Sequence, residues 1–230
     1  MSLLRYMYLL GLPMLENTEV KQMPGSEGHW EENYSSRGPL WGGAVHSLPV
    51  LPPDARVLEL GCGNGKTLSV MNQRGWNVTG IDISPRAIQL ARKTFPEVQE
   101  ICLAVADVRR MPFGAGSFDA VFAFHILGHL PAAYRADALQ EICRVTRAGG
   151  RVYFRDFSTR DFRYGRGKET EQGTFLRGNG IRTHYFTMEE VAGLFTGFLA
   201  ESAETSTWAM RVKGTGYERS EISAIFGKKP

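Results

Sequence analysis

Cysteine is scarce in this 230-residue chain: three residues, Cys62, Cys102 and Cys143, far apart and with no CxxC pair. That excludes a disulfide framework and a cysteine-built zinc site, and fits reduced, buried thiols in a cytoplasmic protein. Long apolar runs are missing as well. Leu3–Leu10 has the look of a weak signal-peptide core, but it is too short to cross a bilayer, holds one basic residue and lacks a small-residue cleavage site. It reads as a flexible arm, or as sequence ahead of a start at Met14 or Met23, and no membrane contact is expected. A strong charge of either sign is absent: the net charge is +3, too mild to demand or exclude nucleic acid. Metal-ligand spacing is lacking too. His125 and His129 stand four apart like the histidines of a zinc-protease helix, but the glutamate that motif needs is replaced by Ile126. No metal is expected.

What is present centres on Val57-Leu58-Glu59-Leu60-Gly61-Cys62-Gly63-Asn64-Gly65. An apolar run ends beside an acid and breaks into glycines at alternate positions, the pattern of a buried parallel strand entering a tight turn ahead of a helix. Glycines at 61, 63 and 65 let a ligand lie against the main chain and permit positive φ. Spacing narrows the ligand. A dinucleotide fingerprint starting at Gly61 requires glycine at 66, where Lys66 stands. A phosphate-binding P-loop ending in Gly65-Lys66-Thr67 requires its first glycine at 60, where Leu60 stands.

The length suffices for one sizeable domain with an arm or insertion. We divide it into an arm or lid segment, 1–38, and a domain, 39–230, with an insertion near 158–186. Residues 16–38 are polar and read as a mobile entry segment whose Trp30 and Tyr34 could fold over a ligand. Pro39–Val50 carries apolar residues at helical intervals. Strands are predicted at 56–60, 76–82, 100–105, 118–124 and 151–154, with helices near 66–74, from Ser84-Pro85, over 132–146 up to a glycine stop at Gly149-Gly150, and from a capping box at Thr187 to about 198. Alternating strands and helices imply right-handed βαβ units in a parallel sheet covered on both faces. Two last strand-like runs, 205–212 and 221–226, suit an antiparallel pair.

Glu59-Leu60-Gly61-Cys62-Gly63-Asn64-Gly65 resembles motif I, E-x-G-x-G-x-G, of the class I, Rossmann-like methyltransferases, and the likeness extends over 55–230. It implies an α/β fold with a mostly parallel seven-stranded sheet ending in an antiparallel pair, and S-adenosylmethionine as cofactor. It also implies roles. Gly61, Cys62, Gly63, Asn64 and Gly65 form the cofactor turn, and Glu59 takes the amino group of the methionine half. Asp82 takes the ribose hydroxyls, Asp107 the adenine amino group, and Ile83 and Val108 sandwich the ring. Strand-end geometry makes these acids plausible ligands, because open α/β sheets bind beyond the carboxyl ends of their strands. His125 follows the fourth strand, where the class places substrate-facing residues; it reads as a base, a pocket wall or a structural histidine.

The insertion Ser158–Phe186 carries six basic residues, Arg160, Arg163, Arg166, Lys168, Arg177 and Arg182, against Asp161, Glu169 and Glu171, with Phe162, Tyr164, Phe175, Tyr185 and Phe186 interleaved. Arginine for phosphate and aromatics for a splayed base is how single-stranded RNA is held; a solvated loop with a small aromatic core is the alternative. Phe154-Arg155-Asp156-Phe157 and Phe175-Leu176-Arg177-Gly178-Asn179-Gly180-Ile181-Arg182-Thr183-His184-Tyr185-Phe186-Thr187 are similar to stretches of the tRNA 3-methylcytidine methyltransferases, departing from them at Ser158, Asn179 and Ile181. That narrower likeness covers about 150–190 and not the segment before the glycine turn. It makes Arg155 and Asp156 catalytic candidates, beside His125 from the class likeness, and Arg177, Arg182 and Tyr185 substrate candidates, beside Trp30 and Tyr34 of the entry segment. Three functions stay open: methylation of an RNA base such as cytosine at N3, methylation of a small molecule under a lid, and a non-catalytic cofactor-binding partner subunit. Oligomeric state is not assigned.

Overall fold

The computed structural model describes residues 27–40, 45, 48–94 and 101–230. The arm before Glu27, including Leu3–Leu10, and half of the helix expected at Pro39–Val50 lie outside the described residues. The described positions of that stretch, 39–40, 45 and 48–50, are not helical, as the prolines at 39 and 49 favour.

Seven strands form one sheet: β1 (Arg56–Leu60), β2 (Asn77–Asp82), β3 (Cys102–Val105), β4 (Phe118–Phe124), β5 (Thr146–Phe157), β9 (Phe198–Val212) and β10 (Thr215–Lys228), in the order β3-β2-β1-β4-β5-β10-β9. The first five pair in parallel, and β10 runs antiparallel to both β5 and β9. The chain starts at β1, winds outward to β3, then returns to β4. That reversal leaves a crevice beyond the ends of β1 and β4, where ligands of open α/β sheets bind.

Helices α2 (Lys66–Gln73), α3 (Pro85–Thr94) and α4 (Ala132–Val145) connect the parallel strands. Two apolar clusters cover the sheet, one around Leu58, Leu60, Val121 and Phe154, the other around Val57, Leu68, Trp76 and Phe122. Alternate residues of β1 thus serve opposite faces, as a strand buried on both sides requires. Gly80 on β2 is where Leu68 and Leu103 close in: a Cβ there would stand 2.8 Å from one and 2.9 Å from the other.

Several elements differ from expectation: β5, β9 and β10 are longer than the predicted runs, and two helix ends and the lead-in depart from the sequence pattern. Helix α4 ends at Val145, short of the glycine pair, and β5 begins at once. The Thr146 hydroxyl donates to the Ile142 carbonyl at 2.7 Å, and Lys228 Nζ reaches the carbonyls of Cys143 and Thr146 at 2.6 and 2.7 Å. These bonds satisfy the helix end without a glycine cap. Helix α5 (Met188–Ala192) opens on the expected Thr187 cap, whose Oγ1 accepts from the Glu190 N–H at 3.1 Å, but stops at Gly193 instead of running to 198. The polar lead-in expected to be mobile holds a helix, α1 (Glu27–Arg37), with Tyr34 buried against Ala87 and Leu90 of α3.

The insertion is a small antiparallel sheet of its own, β6 (Lys168–Glu171), β7 (Thr174–Leu176) and β8 (Arg182–His184). Among the described residues no helix is long and apolar enough to cross a membrane.

Candidate active site

At the β1 end, Gly61, Gly63 and Gly65 adopt φ of +63°, +54° and +84°, conformations that side chains disfavour, so the turn exposes main chain where a Cβ would otherwise project. Cys62 and Asn64 are buried. Glu59 lies beneath the turn, 5% exposed, bonded to Thr67 and with Oε2 buried and unpartnered. Burial, opposed by the Thr67 bond and aided by the neighbouring Asp82 charge, pushes its carboxyl up to about 8. A buried carboxyl with a bare oxygen is a site for a cation brought by a ligand.

Asp82 ends β2. Its Oδ2 accepts from the Gly63 N–H at 2.8 Å and its Oδ1 from the Ser84 N–H at 2.9 Å. Burial lifts it to about 6 against those amide bonds, with Glu31 adding to the rise. Ile83, directly after β2, is partly buried, and Val108, three residues past the end of β3, is buried. Asp107 is clamped by Arg109, with Nη2 at 2.6 Å and Nε at 2.8 Å from Oδ2, and Arg109 in turn sits over the Tyr134 ring at 4.2 Å. Any adenine contact made by Asp107 therefore uses lone pairs left beside that clamp.

The β4 end supplies the opposite wall. A Cβ on Gly61 would stand 2.9 Å from Ile126 Cδ1, so the segment 125–129 meets the glycine turn directly. His125 is held at φ +52°, an uncommon conformation for a non-glycine residue, and its ring stacks on Phe157 with centroids 4.5 Å apart. Its Nδ1 is 3.8 Å from Asp156 Oδ1 and its Nε2 is 3.4 Å from Glu221 Oε2. Both carboxylates are buried, at 1% and 3% exposure, and Arg155 Nε lies 3.5 Å from Glu221 Oε1. Two buried anions thus face two cations only when the imidazole is protonated. Burial alone would lower the His125 pKa, but Asp156 and Glu221 outweigh it and raise it. Asp156 is also fixed by the N–H of Gly128 at 2.8 Å and of Phe157 at 2.9 Å. Arg155 donates to Ser223 Oγ at 3.2 Å and lies over the Phe124 ring at 4.6 Å.

His129 is tuned the other way. Burial lowers its pKa, and Nδ1 lies 2.7 Å from the Arg182 carbonyl, which can only accept. The Nδ1–H tautomer follows, leaving the lone pair on Nε2. Trp30 meets this ring edge-on, centroids 4.9 Å apart.

In the insertion, Asp161 is 2% exposed and receives Arg163 Nε and Arg219 Nε at 2.7 Å each. Both guanidinium groups lie over Phe157, at 3.9 and 4.7 Å. Phe175, Tyr185 and Phe186 are buried: Tyr185, 1% exposed, packs with Tyr164 and Phe175 in the insertion, and Phe186 joins the sheet core beside Phe154. Among the described residues, Glu169 and Glu171 form no ion pair with the insertion's arginines: they accept from the N–H groups of Gly173 at 2.9 Å and Ala132 at 3.0 Å. Among the described residues, no ion pair holds Arg160, Arg166, Lys168, Arg177 or Arg182.

Sequence reading missed Glu221, Arg219 and Phe157. Their signal is cross-strand pairing, Glu221 opposite Phe157 in β10 and β5, which no motif spacing encodes. Glu31, one acid among several in a polar stretch, was invisible for the same reason.

A methyltransferase-domain family matches residues 58–154. The 2-methyl-6-phytyl-1,4-hydroquinone methyltransferase of Synechocystis is 36% identical over 54% of this chain and 37% of its own length. The tRNA N(3)-methylcytidine methyltransferase Mettl2 of Drosophila melanogaster is 32% identical over 64% of this chain and 49% of its own. This chain thus spans half or less of the length of these curated relatives. A crystal structure of a SAM-dependent methyltransferase from Methanosarcina mazei superposes with a TM-score of 0.67 at 26% identity, covering 78% of this chain and 94% of that one. The glycine turn, the bare Glu59 oxygen and the strand order fit the same cofactor, and residues 58–154 belong to a methyltransferase domain of the class I, S-adenosylmethionine-dependent family.

Proposed function

We propose that this chain transfers a methyl group from S-adenosylmethionine to a ring nitrogen of an RNA base, cytosine N3 being the first candidate. The cofactor supplies an electrophilic methyl on a sulfonium; the protein's part is to place a nucleophile in line with it and exclude competing groups. Glu59 holds the cofactor's ammonium, Asp82 its ribose, and the main chain at 61–65 lies against it. Asp107, Ile83 and Val108 bound the adenine. His125, held between the buried Asp156 and Glu221 carboxylates, which favour its protonated form, serves as a wall and not as a base. A ring nitrogen with its own lone pair needs none.

The observation that carries the RNA reading is the state of the insertion's cations. Asp161 engages Arg163, whereas Glu169 and Glu171 are committed to backbone amides, so five basic side chains remain for phosphates. Arg177 and Arg182 flank the turn whose carbonyl at Arg182 bonds His129, beside the acceptor wall.

A second reading rests on His129. Its Nε2 lone pair could take a proton from an O–H acceptor, as methylation of a small hydroxylated ring requires. Labelled S-adenosylmethionine, offered in parallel with total tRNA and with a simple hydroquinone, separates the two. Label in tRNA that digests to 3-methylcytidine is the expected outcome; label in the hydroquinone alone would overturn the RNA assignment. Saturable cofactor binding with no transfer to either would point to a non-catalytic partner subunit.

A further inference from the structure

Helix α1 makes contacts on both sides of the crevice. On the cofactor side, Glu31 Oε2 accepts from Ser84 Oγ at 2.5 Å and from the Arg86 N–H at 3.1 Å. Ser84 is fully buried, caps α3 by accepting from the Ala87 N–H at 3.0 Å, and gives its own N–H to Asp82, whose other oxygen takes the N–H of Gly63. A continuous chain of bonds therefore runs from α1 through Ser84 and Asp82 into the glycine turn.

On the acceptor side, Asn33 Nδ2 donates to the Asn179 carbonyl at 3.3 Å, and Trp30 meets the ring of His129. His29 lies so close to Gly180, which has φ +76°, that a Cβ there would stand 2.6 Å from His29 Nδ1. His129 is itself bonded to Arg182, across the same turn.

Ser84 follows the end of β2 and His129 the end of β4, the strands that flank β1 in the sheet, while Asn179 and Gly180 lie in the β7–β8 turn that Arg182 ties to His129. Glu31 stands within two residues of His29, Trp30 and Asn33, so the two sets of contacts leave different sides of about one helical turn. Two strand spacings amount to roughly 10 Å, and a helix with its side chains is about 10–12 Å across. The helix is wide enough to bridge the mouth above the glycine turn.

We propose that α1 is a strap over the cofactor cleft, latched by Glu31 to the Ser84–Asp82 side and by His29, Trp30 and Asn33 to the 177–182 turn, so that filling the cofactor site orders the acceptor turn. Glu31 acts as a positioning residue: it touches neither substrate but fixes Asp82 through Ser84. The inference rests on the cofactor reading above and adds a route by which the cofactor, bound first, prepares the site for the acceptor.

Amide hydrogen exchange of the full chain, with and without S-adenosylhomocysteine, tests it without any acceptor. The product should slow exchange at least tenfold in 31–37 and 177–183 as well as in the glycine turn. In Glu31→Ala the product should bind about tenfold more weakly. At saturation, protection should then persist at 61–65 and vanish at 177–183. In Gly180→Ala, which disturbs only the far latch, product affinity should stay within twofold while protection at 177–183 is lost. Protection confined to 61–65 and 82–84 in the wild type, or a Glu31→Ala protein matching the wild type in both readouts, would overturn the strap while leaving the cofactor reading intact. No product binding at all would sink both.

Discussion

Replacing Glu59 by glutamine keeps the size and polarity of the side chain and removes the buried carboxyl proposed to hold the cofactor's ammonium. The carboxyl is buried, one oxygen has no partner, and its pKa stands at about 8. If it must be ionised to hold an ammonium, each pH unit below 8 costs about 1.4 kcal/mol, so ionisation costs about that much at pH 7 and about 2.7 kcal/mol at pH 6. S-Adenosylmethionine should then bind about tenfold tighter at pH 7.5 than at pH 6.5, a window above the value of about 6 for Asp82. Isothermal titration calorimetry in buffers of different ionisation enthalpy should show close to one proton released in that window. Glu59→Gln should bind more weakly at pH 7.5 and lose the slope. The same shift acts on the empty protein with a defined sign. The folded pKa is raised above the unfolded value of 4.5, so the stabilisation is complete below pH 4.5 and disappears as pH rises towards 8. The wild type should therefore lose ground to Glu59→Gln in chemical denaturation between pH 5 and 8, on the order of a few kcal/mol. A pH-independent affinity without proton release, or an equal slope in Glu59→Gln, would refute the reasoning.

Asp161→Asn leaves two half-buried guanidinium groups without their shared anion and should cost about 3 kcal/mol, read as a lower denaturation midpoint with faster hydrogen exchange concentrated in 160–186. His125→Phe keeps the stack on Phe157 but removes the positive charge between Asp156 and Glu221; because the His125 pKa is raised in the folded state, its stabilisation is present below the unfolded value and lost as pH rises through the folded one, so the variant should be about 2 kcal/mol less stable at pH 6 and the gap should narrow by pH 9. Thr187→Ala removes the cap bond to Glu190 and should cost about 1 kcal/mol in equilibrium unfolding.

The parallel sheet was legible in the sequence because its strands are short apolar runs that each end in turn chemistry, a local pattern. β4 was read to the residue, and the glycine turn with its following helix nearly so. The last antiparallel pair was read at the right place but too short, since β9 and β10 continue through polar, exposed residues whose pairing to each other, not burial, keeps them extended. The end of α4 was misplaced because Lys228, 82 residues beyond Thr146, supplies the cap that a glycine was expected to supply.

By itself, then, the sequence determined the strand-turn-helix core, the cofactor turn and the acids at the strand ends, all of which are set by neighbours within a few residues. Tertiary structure decided the rest. It placed Glu221 and Asp156 on opposite edges of one imidazole, buried Phe175, Tyr185 and Phe186 of the insertion, left five of its cations without carboxylate partners among the described residues, and laid α1 against both sides of the mouth. Those outcomes depend on burial and charge contacts between residues tens of positions apart, where spacing in the chain carries no distance information and only the folded packing sets which groups meet.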